Sequence, residues 1–438
     1  MSSQPMRILM LTQSYPPIFG GIERHVRDLG QELASRGHSV SVVTLRQQEM
    51  APLEQDGDVR VYRIRGTVHR FASLLFRNPE RWYAPPFADP GLTAAMRRII
   101  AQEEPDIVHA HNWMVHSYLP LARRSGPPLV VTLHDYGLRC PKWVLMYEGA
   151  PCSGPAMRKC MSCTADHYGR VKSVVTVLAS RRWSAIERRR TALFLPVSQA
   201  VADGNALAQH HLPYQVIPNF LSDCDPAPPQ ESEALQPYLD QLPDREYILY
   251  VGAYGRFKGF HILLDAYGRL VQAQGQNNVP PLVLIGYETS EFPLASTPLP
   301  PGAVVLRHWP HDAVMEAWRR SMLGVVPSIW PDPCPTVAME AMAMAKPVIA
   351  THIGGLVDIV ADGETGLLVP PDDPAALAHA LAELLAAPER RRKMGVAGHR
   401  RLGLFCAAAV VPRIEQAYRD VLQGRERSEP LPRKTTSP

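Results

Sequence analysis

No stretch of this sequence approaches the ~20 consecutive apolar residues that a membrane-spanning helix requires. Near the N-terminus the only apolar run, Ile8 to Leu11, gives way at once to polar and proline residues, so no signal peptide is expected. Charge of one sign is also lacking. Against 46 Lys and Arg stand 42 Asp and Glu, and a net charge of +4 over 438 residues does not point to nucleic acid. Seven cysteines, an odd number with no secretion signal, predict a reducing cytoplasm and few structural disulfides. What is abundant is core-forming material. The chain is 46% hydrophobic and 20% charged, ordinary for a soluble protein of two or three domains.

The pattern along the chain predicts two βαβ halves. The first opens with the strand MRILML, the glycine loop TQSYPPIFGG, a helix with Ile22, Val26, Leu29 and Leu33 on one face, and the strand SVSVVTL. The β-rich runs DIVHAH, LVVTLHD, LFLPVS and YQVIPNF follow. Residues 222–245 are rich in proline and acids and read as a linker. The pattern then restarts with YILYVG, GFHILLDAYGRL, PLVLIG, AVVLRH, HDAVMEAWRR, LGVVPSI, PTVAMEAMAM and KPVIATHI. The helix PAALAHALAELL follows Asp372 and Asp373, two candidate caps. Apolar strands alternating with amphipathic helices imply parallel sheets covered on both faces. Two such sheets are expected to face each other across a cleft at the carboxyl ends of their strands, where open α/β sheets bind ligands.

The second half carries the sharper chemical signals. Lys258 and Arg256 lie in GAYGRFKG, where a strand feeds a helix. Free N–H groups at a helix start, with two cations, suit a phosphate. A lysine that merely starts a solvated helix has the same look. Asp332 and Glu340 sit eight positions apart in PDPCPTVAMEAMAMAKPVIATHIGG. Glu340 lies among Ala, Met and Val, where a carboxylate is costly to bury unless it accepts hydrogen bonds. Vicinal ribose hydroxyls would donate two; an outward-pointing Glu340 is the plainer alternative. Gly354 and Gly355 would let a backbone approach a ligand or only make a turn.

Two further features stand apart. Cys140, Cys152, Cys160 and Cys163 give the spacing C-x11-C-x7-C-x2-C, which suits a tetrahedral structural zinc site in an inserted loop. Two disulfides, free thiols or an iron–sulfur cluster would use the same four residues. Cys224, Cys334 and Cys406 are scattered and read as ordinary. Residues 170–190 hold seven Lys or Arg and one acid, with Val171, Val174, Val175 and Leu178 at helical spacing. This is either a helix packed on the first domain or a basic amphipathic helix for an anionic membrane surface.

The chain resembles the glycosyltransferases of family 4, the retaining nucleotide-sugar transferases of GT-B architecture. The resemblance is carried by YPPIFGGIERHVRDLGQELASRGHSVSVVT, VVTLHD, VSQAVAD, VIPNF, VGAYGRFKG, VPSIWPDPCPTVAMEAMAMAKPVIATHIGGLVDIV and DGETGLLV, in family order over most of residues 6–390. It implies an α/β fold of two Rossmann-like doubly wound domains facing across a cleft. The first spans 1–215 with the cysteine insertion at 140–163, and the second spans 216–405. A C-terminal helix at 406–425 crosses back, and a disordered tail covers 426–438. The resemblance places Gly20 and Gly21 near the donor diphosphate and the acceptor, and His134 beside the transferred sugar. It puts Lys258, with Arg256, on the leaving diphosphate. Asp332 falls on sugar hydroxyls and Glu340 on the ribose, with Pro335 and Thr336 at the start of the helix that meets the nucleotide. Catalytic roles fall to His134, Lys258 and Asp332.

The implied partners are a UDP- or GDP-sugar and a glycan or lipid-linked acceptor. No cofactor is required for catalysis, and structural zinc is the candidate at the cysteines. Localisation is expected to be cytoplasmic, with a peripheral membrane contact as a further option. Two departures stand out: Ala253 where the family has an arginine, and Asp332 where it has a glutamate. They keep open a catalytically inactive sugar-nucleotide-binding homologue; a nucleotide-sugar 2-epimerase of the same fold, using the same cleft without an acceptor, is the other alternative.

Overall fold

The computed structural model describes residues 4–18, 20–47, 50–71, 83–122, 126–225, 233–289 and 297–424. The expected disordered tail at 426–438 and residues 226–232 of the expected linker lie outside them. The chain divides into two compact units. One comprises residues 1–218 and 410–438, the other residues 219–409.

The first unit is built on a seven-stranded sheet. Its strands are β1 (Arg7–Leu11), β2 (Ser39–Leu45), β3 (Leu53–Asp56), β4 (Val59–Ile64), β5 (Ile107–Ala110), β6 (Leu129–Leu133) and β9 (Thr191–Pro196), in the order β3-β4-β2-β1-β5-β6-β9. Every pairing is parallel except β3 with β4. Ile8 to Leu11 are buried on both faces, as a central parallel strand requires. Helix α1 (Gly21–Ser35) presents Val26, Leu29 and Leu33 to this sheet side of the core. Helix α2 (Pro90–Glu103) starts at Asp89, whose carboxylate accepts from Leu92 N–H at 3.0 Å.

YQVIPNF is not a strand. It runs beside β9 with a single bridge, Phe194 to Tyr214, and hydrogen bonds from Gln215 and Ile217 to β9 carbonyls. Pro213 precedes it and Pro218 interrupts it, and a proline has no N–H for a ladder.

Between β6 and β9 lies an insertion. It contains a two-stranded hairpin of β7 (Met146–Tyr147) and β8 (Ala150–Pro151), then helix α3 (Met157–Tyr168) and helix α4 (Arg170–Arg190). Helix α4 turns inward a stripe of Ser173, Val177, Ser180, Ser184 and Glu187. Small serines let it approach closely: Ser173 Oγ donates to Met161 O of α3 at 2.7 Å. The apolar positions that sequence spacing singled out point the other way. Val171 is 80% exposed, and Val174, Val175 and Leu178 are exposed beside it.

The second unit has a six-stranded, wholly parallel sheet. Its strands are β10 (Ile248–Tyr254), β11 (Leu282–Glu288), β12 (Ala303–Arg307), β13 (Leu323–Val326), β14 (Val348–Thr351) and β15 (Gly366–Val369), in the order β12-β11-β10-β13-β14-β15. Helices α5 (Phe260–Gln274), α6 (His311–Arg320), α7 (Thr336–Ala343) and α8 (Pro374–Ala386) cover it. Leu263, Tyr267 and Leu270 of α5 and Leu377, Leu381 and Leu384 of α8 share one core with strands β10, β11 and β13. Asp373, not Asp372, caps α8 by accepting from Ala376 N–H.

Cys224 and Cys406, expected to be ordinary thiols, are joined in a disulfide across 182 positions, with their Cα atoms 5.8 Å apart. The backbone explains the pairing. Leu221 N–H donates to Phe405 O, and Ala407 N–H to Leu221 O, so the two ends of the second unit already lie side by side.

Helix α9 (Ala407–Leu422) belongs to the first unit from Val410 onward. There Arg413 donates to Val216 O at 2.7 Å, Glu415 pairs with His38 at 2.8 Å, and Tyr418 hydroxyl meets His109 Nδ1 at 2.7 Å.

Candidate active site

In an open parallel sheet, ligands bind at the carboxyl ends of the strands where the order reverses. In the second unit that place is between β10 and β13. The loop after β10 carries Lys258, and the loop after β13 carries Asp332. Lys258 Nζ lies 2.5 Å from Asp332 Oδ2, which also accepts from Ser328 Oγ at 3.2 Å. The ammonium sits 5.7 Å from the ring centre of Trp330. Asp332 is buried, whereas Lys258 keeps 37% of its side chain exposed. The cation is therefore oriented by a fixed acid and open to an incoming anion.

The two loops are held by close backbone approach. Gly259 has φ +67°, and a Cβ there would fall 1.8 Å from Pro327 O, so only glycine lets these loops meet. Gly354 has φ +61° and abuts the backbone of Asp332, and Gly355 N–H donates to Asp332 O at 2.7 Å.

Helix α7 begins at Thr336 behind Pro335, whose missing N–H costs nothing at a helix start. Met339, Ala341 and Met342 are core. Glu340 is buried too, with its Oε1 3.3 Å from His311 Nε2 at the start of α6. The plainer alternative of an outward-pointing Glu340 is thereby overturned. Arg256 is exposed in the loop of Lys258, two residues before it, and Ala253, within β10, carries no charge.

The first unit has its own reversal point, at β1 between β2 and β5. Gly20 lies in the loop after β1 as the extended residue capping α1, and Gly21 is the first residue of that helix, with open space where a Cβ would stand. His134 follows β6 and is buried. It does not stand alone. His134 Nε2 lies 3.1 Å from His111 Nδ1, and the His25 ring stands edge-on to His134 at 5.0 Å. The His109 ring lies tilted against His111, centre to centre 4.1 Å, and is anchored by Thr132 Oγ1 and the Tyr418 hydroxyl, each at 2.7 Å. Burial lowers His25 to about 4. Burial, with repulsion from His25, lowers His109 to about 3. Burial and three neighbouring histidines hold His111 well below the usual range. These rings are thus neutral near pH 7, able both to donate and to accept. Asp135 is driven the other way, up to about 6, chiefly by burial.

Sequence reasoning missed His25, His109, His111 and Tyr418. The alternation in HAH was the available signal, because residues i and i+2 of a strand share a face. The ligand atoms of His25, His111 and His134 lie within 4.8 Å of one another. Two of those nitrogens already face each other, so the trio serves hydrogen bonding more directly than metal binding. Cys140, Cys152, Cys160 and Cys163 are all partly buried free thiols in the insertion after His134.

Comparison with known proteins places these features. Residues 20–194 match the model for the glycosyl transferase 4-like domain, and residues 234–401 match that for glycosyl transferases group 1. A curated glycogen synthase of Mycobacterium tuberculosis is 27% identical over 97% of each chain. Among solved structures, a sucrose-phosphate synthase from Thermosynechococcus elongatus superposes with a TM-score of 0.71 at 22% identity, covering 96% of this chain and all of that one. An Anabaena protein solved in complex with UDP-glucose superposes with a TM-score of 0.62 at 18% identity, covering 96% and 100%. The fold of two Rossmann-like units is that of the GT-B glycosyltransferases. With both halves matched, the chain belongs to the group 1 glycosyltransferases, of the family 4 type.

Proposed function

We propose that this glycosyltransferase moves a hexosyl unit from a UDP- or GDP-sugar to a hydroxyl of a glycan or lipid-linked acceptor, with retention at the anomeric carbon. The observation that carries the reading is Lys258 held by buried Asp332 at the sheet's reversal point, with buried Glu340 on the next helix. A nucleotide-sugar donor is also favoured by the Anabaena neighbour, which was solved with UDP-glucose.

Breaking the sugar–diphosphate bond leaves an oxocarbenium-like carbon and an anionic diphosphate. Charge stabilisation of that leaving group is the main task. Lys258, Arg256 and the N–H groups at the start of α5 supply it. Glu340 accepts from the ribose hydroxyls. His134 and Asp332 hold hydroxyls of the sugar. The acceptor oxygen bonds to the anomeric carbon on the face from which the diphosphate departs, and its proton passes to a diphosphate oxygen. The group that leaves is thus the base, and no second protein nucleophile is required.

The lipid-linked acceptor has a specific observation in its favour. Val171, Val174, Val175 and Leu178 form an exposed apolar face on α4, flanked by exposed Arg170, Lys172, Arg181 and Arg182. Such a face suits the anionic inner surface of a membrane. Among the described residues no helix is long and apolar enough to cross one.

The test is a panel of UDP-, GDP- and ADP-sugars, with and without sugar and polyprenyl-phosphate acceptors, read by nucleoside diphosphate release and by NMR of the anomeric product. Transfer with retained configuration is expected. Interconversion of nucleotide sugars without an acceptor would instead show an epimerase, and binding with no turnover an inactive homologue.

A further inference from the structure

We propose that Cys140, Cys152, Cys160 and Cys163 form a structural zinc site that staples the insertion to the loop leaving His134. The insertion runs through a tight turn, a short hairpin and then a helix. Cys140 sits in the turn, Cys152 just after the hairpin strand β8, and Cys160 and Cys163 one helical turn apart on α3. Residues at i and i+3 of a helix share a face. A C-x2-C pair in the first half of a helix, with two more cysteines from a preceding turn and hairpin, supplies the four thiolates of a closed tetrahedral site.

The side chains and backbone converge in the same way. Cys140 N–H donates to Tyr136 O at 2.7 Å and Trp143 N–H to Cys140 O at 2.9 Å, which closes the turn that holds Cys140. Cys152 N–H donates to Leu145 O at 2.8 Å, which fixes the hairpin exit beside that turn. From the helix side, Cys163 Sγ is 3.7 Å from Lys142 Nζ and 3.8 Å from Met146 O, groups of the turn and hairpin respectively. A lysine aimed at sulfur is the kind of outer contact that stabilises a metal thiolate and offsets its net negative charge. No three of the four sulfurs lie as close together as the ligand atoms of the histidine trio, so an ion would draw them inward. Zn²⁺ exchanges for four thiol protons, which leave to solvent.

The physical need is plain in the local structure. The turn contains Trp143 and Leu145 at φ +64° and +51°, and the hairpin connection contains Glu148 at φ +50°, conformations that side-chain-bearing residues adopt only when held. The hairpin it serves has just two residues a side, too short to stand unaided. A metal joining turn, hairpin and helix supplies the missing constraint.

The test is metal analysis of the full chain purified without chelators. One zinc per chain is expected, released in full when a mercurial titrates four thiols, and exchangeable for cobalt(II) with the thiolate-to-cobalt absorption of a tetrahedral site. The double variant Cys160→Ser/Cys163→Ser should lose the zinc, whereas Cys224→Ser/Cys406→Ser should keep it. If the first variant does not fold, the mercurial titration of the unaltered chain still decides. Metal-free protein, iron in place of zinc, or peptide mapping that finds these four cysteines in disulfides would overturn the proposal.

Discussion

Lys258 Nζ and Asp332 Oδ2 are 2.5 Å apart although 74 positions separate them, because the strands that feed their loops, β10 and β13, are neighbours in the sheet. Asp is one methylene shorter than Glu, and here its Oδ2 accepts from both the lysine and Ser328.

It follows that Lys258→Ala should reduce turnover ~100-fold or more, the scale of losing one preorganised charge-stabilising group. Steady-state assays with the best donor check this, with thermal melting as the control for folding. Near-normal turnover in a folded variant would remove Lys258 from the chemistry.

Glu340, on the helix that follows the loop of Asp332, is proposed to accept from the ribose. Glu340→Gln should weaken donor binding about ten- to hundredfold, the scale of hydrogen bonds to a charged group, while leaving turnover at saturation much less affected. The split between KM and kcat is the readout. A loss confined to kcat would move Glu340 from holding the donor to acting on the reaction itself.

The buried histidines make the first unit sensitive to acid. His25 and His109 titrate near 6.5 when unfolded but only near 4 and 3 when folded. Between those values the unfolded chain binds more protons, so their contribution is present above pH 6.5 and lost as pH falls. Asp135 opposes this, since its folded value is raised from 3.8 to about 6 and it favours the folded state toward acid. With His111 also depressed, the histidines prevail. Urea midpoints should fall between pH 7 and pH 4.5, and His25→Gln should flatten the slope. An unchanged slope in that variant would show His25 is not buried neutral.

Anionic vesicles should sediment the protein at low salt, and Val171→Ser/Val175→Ser/Leu178→Ser should abolish most of that binding without altering the melting temperature, since all three side chains are exposed. If the unaltered chain stays in the supernatant, the exposed face of α4 has another purpose.

The βαβ rhythm was readable because a parallel strand buried on both faces is a continuous apolar run and its covering helix is amphipathic. Lys258 and Glu340 could be picked out because each breaks a local pattern, one a glycine turn, the other an apolar helix. His25, His109 and His111 could not be grouped, since α1, β5 and β6 meet only through the sheet order. The reversal of α4 was hidden for a related reason. Hydrophobic spacing names an apolar face, but here helix α3 demanded small residues, and Ser173 and Ser180 went inward while the valines faced out. The Cys224–Cys406 bond joins segments that no local spacing could connect.

The last helix carries a consequence for how the protein is made. His38, just before the strand that completes the first βαβ unit, and His109, at the centre of the histidine group, both rest on residues beyond 410, through Glu415 and Tyr418. Synthesis runs from the N-terminus, and domains ordinarily fold as they emerge. Here the half that is translated first must wait for the second unit and the helix after it to be made before its polar interior is closed.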